Sequence, residues 1–208
     1  MNDKRILIIG TAAAAALLVG GALWLNRGNG GDDQFAQCRA GVVAGGAGAL
    51  GGKFELTDET GARVTDAQVF TKPSLLYFGY TFCPDVCPLD SARNAEALDL
   101  LDEQGIDAQA VFITVDPKRD TPEVVDEFTN NLHEKMIGLT GTPEEIDAVS
   151  KLWKNYYKVN DDGSDYYMVD HATNTYLVMP GHGTVEFFRR DLTPELLAER
   201  VSCFAEAS

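Results

Sequence analysis

The sequence predicts an α/β fold, a central mixed sheet flanked by helices, preceded by one transmembrane helix. Three observations carry this. Two apolar runs, PSLLYFGY at 73–80 and AQAVFITVD at 108–116, have the length of buried strands, and a helical pattern follows each. Beyond residue 166 the pattern changes to short strands around the turn Pro180-Gly181-His182-Gly183, then a closing helix. At the other end, residues 6–25 are twenty consecutive apolar or small residues, Thr11 excepted.

That leading run fits a membrane anchor. At about 1.5 Å per helical residue it crosses roughly 30 Å, the thickness of a bilayer core. A cleaved signal peptide is the rival reading, but its apolar region is about 7–15 residues long and ends at small residues. Here the run ends Ala22-Leu23-Trp24-Leu25-Asn26-Arg27, bulky where cleavage wants small side chains. No cysteine closely follows it, which argues against a lipid-anchored lipoprotein. Lys4 and Arg5 precede the run and only Arg27 closely follows, so the positive-inside rule places residues 1–5 in the cytoplasm and the rest outside. The leader is not the amphipathic, Arg- and Ser-rich kind that targets mitochondria. The expectation is a single-pass protein of the bacterial inner membrane with its domain in the periplasm, where disulfides persist.

Residues 26–52 are expected to link anchor and domain. NRGNGGDDQ is polar, and GVVAGGAGALGG at 41–52 is half glycine, either a mobile tether or an arm laid against the domain. The folded domain is expected over 53–208. KFELTD reads as a strand and Asp58 to Gly61 as a turn. After the 73–80 strand, SARNAEALDLLDEQG sets Ala92, Ala95, Leu98 and Leu101 at helical spacing, with Gly105 as the stop. TPEVVDEFTNNL and TPEEIDAVSKLWKNY both open with a Thr cap, a Pro at the first helical position and a Glu beside it. KMIGLTG between them is a short strand. Tyr166–Val169, Thr175–Met179 and Thr184–Arg189 read as strands, and TPELLAERVSCF is the last helix. A β-α-β unit demands parallel strands and a right-handed crossover. With an antiparallel hairpin and a final helix added, the result is a thioredoxin-like sandwich. A length of 208 residues and 45% hydrophobic composition suit one such domain. A net charge of −15, with no basic cluster, excludes nucleic acid as a partner class.

The chemistry gathers at FCPDVCP, residues 82–88, where a strand ends and a helix begins. Unpaired N–H groups at a helix start lower the pKa of a thiol held there. Cys83 and Cys87 have three residues between them, one more than in thioredoxins, which leaves room for an ion between the sulfurs. Three readings stand at this point: a structural disulfide, a redox pair, or two metal ligands. A metal would need a further soft or borderline ligand, and the chain has only three histidines. His133, near a helix end, and His182, in a turn, read as surface residues. His171 lies between two apolar strands beside Asp170, and a structural role is as compatible with its position as a ligand role.

Three stretches together resemble the Sco/SenC family of copper-binding, membrane-anchored thioredoxin-fold proteins. They are YFGYTFCPDVCP (77–88), VFITVDPKRDTP (111–122) and YMVDHATNTYLVMPGHG (167–183), in matching order and spacing across about residues 50–205. The resemblance implies that Cys83, Cys87 and His171 bind copper, one ion per domain, as Cu(I), Cu(II) or both. It implies as recipient the dinuclear copper site of cytochrome c oxidase subunit II. Another periplasmic copper chaperone or a thiol reductant is a further expected partner. One departure is Ala172, where Ser or Thr is expected after the histidine. Two thiolates and an imidazole suit copper by softness, whereas zinc would usually add a fourth ligand. Asp85, Asp116 and Asp170 are candidates for orienting His171 or tuning charge around the metal, with solvated or capping carboxylates as the alternative. The acidic loop DDGSD (161–165) lacks calcium-loop ligand spacing and reads as a solvated turn.

Cys38 and Cys203 remain. Their pairing as a structural disulfide leaves Cys83 and Cys87 free to work together; the alternative is two unpaired thiols. Beside the chaperone stand two other functions: a thiol-disulfide oxidoreductase using Cys83 and Cys87 on the recipient's cysteines, and a redox or copper sensor. Asn174 precedes Thr175 where thioredoxin-type oxidoreductases usually carry a cis-proline, which weakens the reading as a general disulfide exchanger.

Overall fold

Three strands with every residue buried set the centre of the molecule: Ser74–Gly79, Gln109–Thr114 and Thr175–Met179. They belong to a computed structural model that describes residues 33–39 and 49–208. In chain order the strands are β1 Glu55–Asp58, β2 Arg63–Thr65, β3 Ser74–Gly79, β4 Gln109–Thr114, β5 Met136–Thr140, β6 Tyr157–Asn160, β7 Met168–His171, β8 Thr175–Met179 and β9 Gly183–Phe188. The helices are α1 Asp66–Val69, α2 Val86–Glu103, α3 Pro122–Asn130, α4 Pro143–Leu152 and α5 Pro194–Glu206.

Seven strands form one sheet in the order β2-β1-β5-β4-β3-β8-β9. β3, β4 and β5 run parallel, joined by α2 and α3, while β1, β2, β8 and β9 pair antiparallel. This is the mixed, thioredoxin-like sheet that the alternation predicts. α2 lies on β3 and β4 and packs against α5. Covered from both sides, α2 buries even Asp90, Ser91, Arg93 and Asn94. Two of the three Thr-Pro openings cap through the side chain: Thr142 Oγ1 accepts from the Glu145 N–H, and Thr193 Oγ1 from the Leu196 N–H, whereas Thr121 is the N-cap of α3 without a side-chain cap bond. The turn at 180–183 needs left-handed backbone at Gly181 and Gly183, with φ of 75° and 70°.

α2 starts at Val86, inside the cysteine motif, where a helix start is expected. The structure adds to or departs from expectation in three places. β2 and α1 occupy residues 63–69, for which the sequence suggests no element. The strand expected at Tyr166–Val169 is β7, shifted to Met168–His171 because it pairs with β6, so Tyr166 stays in the loop and is 88% exposed. β6 and β7 form their own two-stranded sheet, with Tyr157 opposite His171 and Asn160 opposite Met168.

Cys38 and Cys203 are joined by a disulfide that ties the segment before the glycine-rich stretch to α5, with Cα atoms 5.6 Å apart. The anchor expected at residues 6–25, the cytoplasmic residues 1–5 and most of the linker fall outside the described residues. Among the described residues no helix is long and apolar enough to cross a membrane.

Candidate metal centre

The site is built where β3 runs out. After Gly79 the chain turns through Tyr80, Thr81 and Phe82, and the Cys83 N–H donates to the Tyr80 carbonyl at 3.2 Å. Asp85 is the N-cap of α2, and Cys87 sits in its first turn. The Cys87 N–H points back at Cys83 Sγ, 3.4 Å away. His171, the last residue of β7, enters from the separate two-stranded sheet, its Nε2 3.2 Å from Cys87 Sγ. The two sulfurs and the ring nitrogen lie within 4.8 Å of one another, and neither thiol is in a disulfide.

The two thiols differ. Burial works to raise Cys83, but the N–H groups of Cys87, Asp85 and Val86, with the Cys87 thiol, outweigh it and hold Cys83 below the ordinary thiol range. Burial drives the Cys87 thiol far above that range, and a hydrogen bond from the Tyr80 backbone offsets only part of it. Cys83 is 8% exposed and Cys87 0%. Burial also lowers His171, which favours the neutral imidazole. His171 Nδ1 lies 2.8 Å from the Ala172 carbonyl oxygen. A carbonyl can only accept, so Nδ1 carries the proton and Nε2 presents its lone pair to the sulfurs.

Several residues around the site carry no flag in the sequence. The rings of Tyr77 and Tyr80 meet His171 edge-on, with centroids 6.0 and 5.9 Å away. The Tyr77 hydroxyl donates to buried Asp90 at 3.0 Å, and Arg190 Nε donates to the other Asp90 oxygen at 3.4 Å. Gly79 leaves the space that Cys87 fills: a Cβ there would lie 3.2 Å from Cys87 Sγ and 2.8 Å from the Tyr77 ring. The 116–120 stretch braces the other side. Asp120 holds Thr81, and Arg119 stacks on Tyr167, Phe82 and Tyr80 at 3.7, 4.9 and 5.7 Å from their centroids.

Two of the three candidate carboxylates take other partners. Asp116 accepts from the Tyr167 hydroxyl at 2.7 Å and from Arg119 Nε. Asp170 accepts from Asn160 at 3.0 Å, and Asp85 caps α2 through its backbone with an exposed side chain. His171 is oriented by the Ala172 carbonyl. His133 bonds to Asp99 and the Lys135 N–H, and His182 sits exposed in the β8–β9 turn, both apart from the thiols. The 161–165 loop is closed by local turns, Asp161 accepting from the Gly163 N–H and Asp162 from the Ser164 N–H.

A low-pKa thiol, a second thiol and an imidazole with its lone pair turned inward form a soft three-donor set, which fits Cu(I). Comparison with known proteins points the same way. The family model described as SCO1/SenC matches residues 43–206. Protein SenC of Rhodobacter capsulatus is 55% identical over 175 residues, covering 84% of this chain and 79% of that one. The copper-bound structure of Arabidopsis thaliana ScoI superposes with a TM-score of 0.72 at 39% identity, covering 76% of this chain and 99% of that one. Copper-bound ScoI of Bradyrhizobium japonicum gives 0.68 at 36% identity, covering 74% and 98%.

Proposed function

The chain belongs to the SCO1/SenC family, and from that premise we propose that it is a copper chaperone holding its cargo at Cys83, Cys87 and His171. We further infer that it is anchored in the bacterial inner membrane, with its domain in the periplasm, and that it delivers copper to the dinuclear site of cytochrome c oxidase subunit II. The observation that carries the copper reading is the convergence of the three donors within 4.8 Å. The residues divide the work. His171 needs to lose no proton, because its tautomer is already set. Cys83, its pKa lowered, gives up its proton more easily than an ordinary thiol, whereas Cys87 gives up its proton only as the ion binds. Delivery is ligand exchange: thiolates of the recipient displace those of the donor one at a time, Cys83 first as the more exposed.

One observation favours a second activity. An outer thiol of lowered pKa beside a buried one of raised pKa is the division between attacking and resolving cysteines. Cys83 would attack a disulfide of the recipient, and Cys87 would release it by forming the Cys83–Cys87 bond.

The test is metal stoichiometry in the reduced, anaerobic, detergent-solubilised chain, with oxidase maturation scored beside it. One Cu(I) per chain is expected, lost in Cys83→Ser and Cys87→Ser. His171→Ala should lose both copper and maturation. Maturation that survives His171→Ala would leave thiol reduction as the primary role.

A further inference from the structure

Met168 is a soft donor that the three-ligand site leaves out. The other described methionines outside it, Met136 and Met179, are buried, whereas Met168 is 47% exposed. It opens β7, the strand that ends on His171. The Tyr80 hydroxyl donates to Met168 Sδ at 3.9 Å, and Tyr80 is near enough to the Cys83 thiol to interact with it. Tyr80 is itself buried, with its ring edge-on to His171. One buried tyrosine therefore neighbours both the exposed thioether and the outer of the two thiols.

We propose that Met168 is a transit ligand for Cu(I), taking the ion at the surface and passing it to Cys83. This rests on the copper reading above. A thioether is neutral, so it binds without releasing a proton. It is soft, so it accepts Cu(I) and discriminates against Zn(II) and harder ions. The unbranched methionine side chain can swing between solvent and Cys83. In the first step a bond from copper to its donor breaks as the Met168 Sδ–Cu bond forms. In the second, the Cys83 Sγ–Cu bond forms, any thiol proton goes to water, and the Met168 bond breaks. Copper stays Cu(I) throughout, so no oxidant or reductant is needed.

The test uses the reduced full chain in detergent, with Cu(I) bicinchoninate as the copper source and stopped-flow detection. Met168→Leu keeps the apolar surface and removes the sulfur. Uptake, and return of copper to excess bicinchoninate, should both slow by about tenfold, the effect of one weak ligand on a barrier. The ¹³C-methyl resonance of Met168 should move when Cu(I) is added to Cys83→Ser, where onward transfer is blocked. Equal rates in wild type and Met168→Leu, or a methyl resonance that stays still, overturn the transit role and leave the three-ligand site standing. A wild-type chain that takes no Cu(I) at all overturns both.

Discussion

Asp120 grips Thr81 with both carboxylate oxygens: the Thr81 N–H donates to one at 3.0 Å and the Thr81 hydroxyl to the other at 2.7 Å. Thr114 adds a third hydrogen bond at 2.6 Å. The loop carrying Cys83 is thus moored to the start of α3. Asp120→Ala leaves those donors without their acceptor and should cost about 1–3 kcal/mol, measured by chemical denaturation. There is also a pH signature. Burial holds the Asp120 carboxyl above its ordinary value of 3.8 despite the hydrogen bonds. A carboxyl whose folded pKa is raised binds its proton more tightly in the fold. Its contribution is present below the unfolded pKa and lost as pH rises through the folded one. Asp120→Asn cannot titrate, so the stability of wild type relative to the variant should fall through that window. A pH-independent difference would contradict this.

The asymmetry of the thiols should show in alkylation. In the reduced chain, iodoacetamide should label Cys83 below the pH at which a free thiol reacts, because its lowered pKa supplies thiolate there. Cys87, buried and raised, should react later and only at higher pH. Mass spectrometry of Cys83→Ser and Cys87→Ser separates the two. Preferential labelling of Cys87 would reverse the assignment.

Gly79 should be intolerant of even one methyl group. A Cβ would press on the Tyr77 and Phe112 rings at 2.8 and 2.9 Å and on Cys87 Sγ at 3.2 Å. Gly79→Ala should destabilise the domain by about 1–3 kcal/mol. It should also weaken copper retention, read by competition with a Cu(I) chelator. Unchanged retention would mean that Cys87 needs no such seat.

The Cys38–Cys203 disulfide closes 165 residues of sequence. In the chain-entropy account its removal by the double serine variant should cost about 3–5 kcal/mol, visible as a lower denaturation midpoint. Copper stoichiometry should hold at a temperature where the variant is folded, since Cys83 and Cys87 take no part in this bond.

The parts of the fold legible in the sequence were those with a strong local signature. β3 and β4 are unbroken apolar runs, and Thr-Pro marks the start of three helices. β6, with the sequence YKVN, has no such signature; it is half exposed and exists because β7 lies beside it. The buried polar face of α2 was equally silent. Asp90 reads as a surface residue until Tyr77, 13 residues earlier, and Arg190, 100 residues later, close on it. At the site the thiol spacing was visible locally, and His171 came through family resemblance. Tyr77 and Tyr80 were hidden because an aromatic residue in an apolar run reads as core, which these also are.

His171 takes its orientation from the carbonyl of the next residue, and every amino acid supplies that carbonyl. No substitution at position 172 can delete the acceptor, as a mutation would delete a carboxylate partner. Ala172, where a hydroxyl residue is expected, shows the freedom this gives: the side chain there can drift while the imidazole keeps the same nitrogen turned to the sulfurs. The metal-facing tautomer is in that sense inherited with the peptide backbone and is robust to point mutation at its own partner.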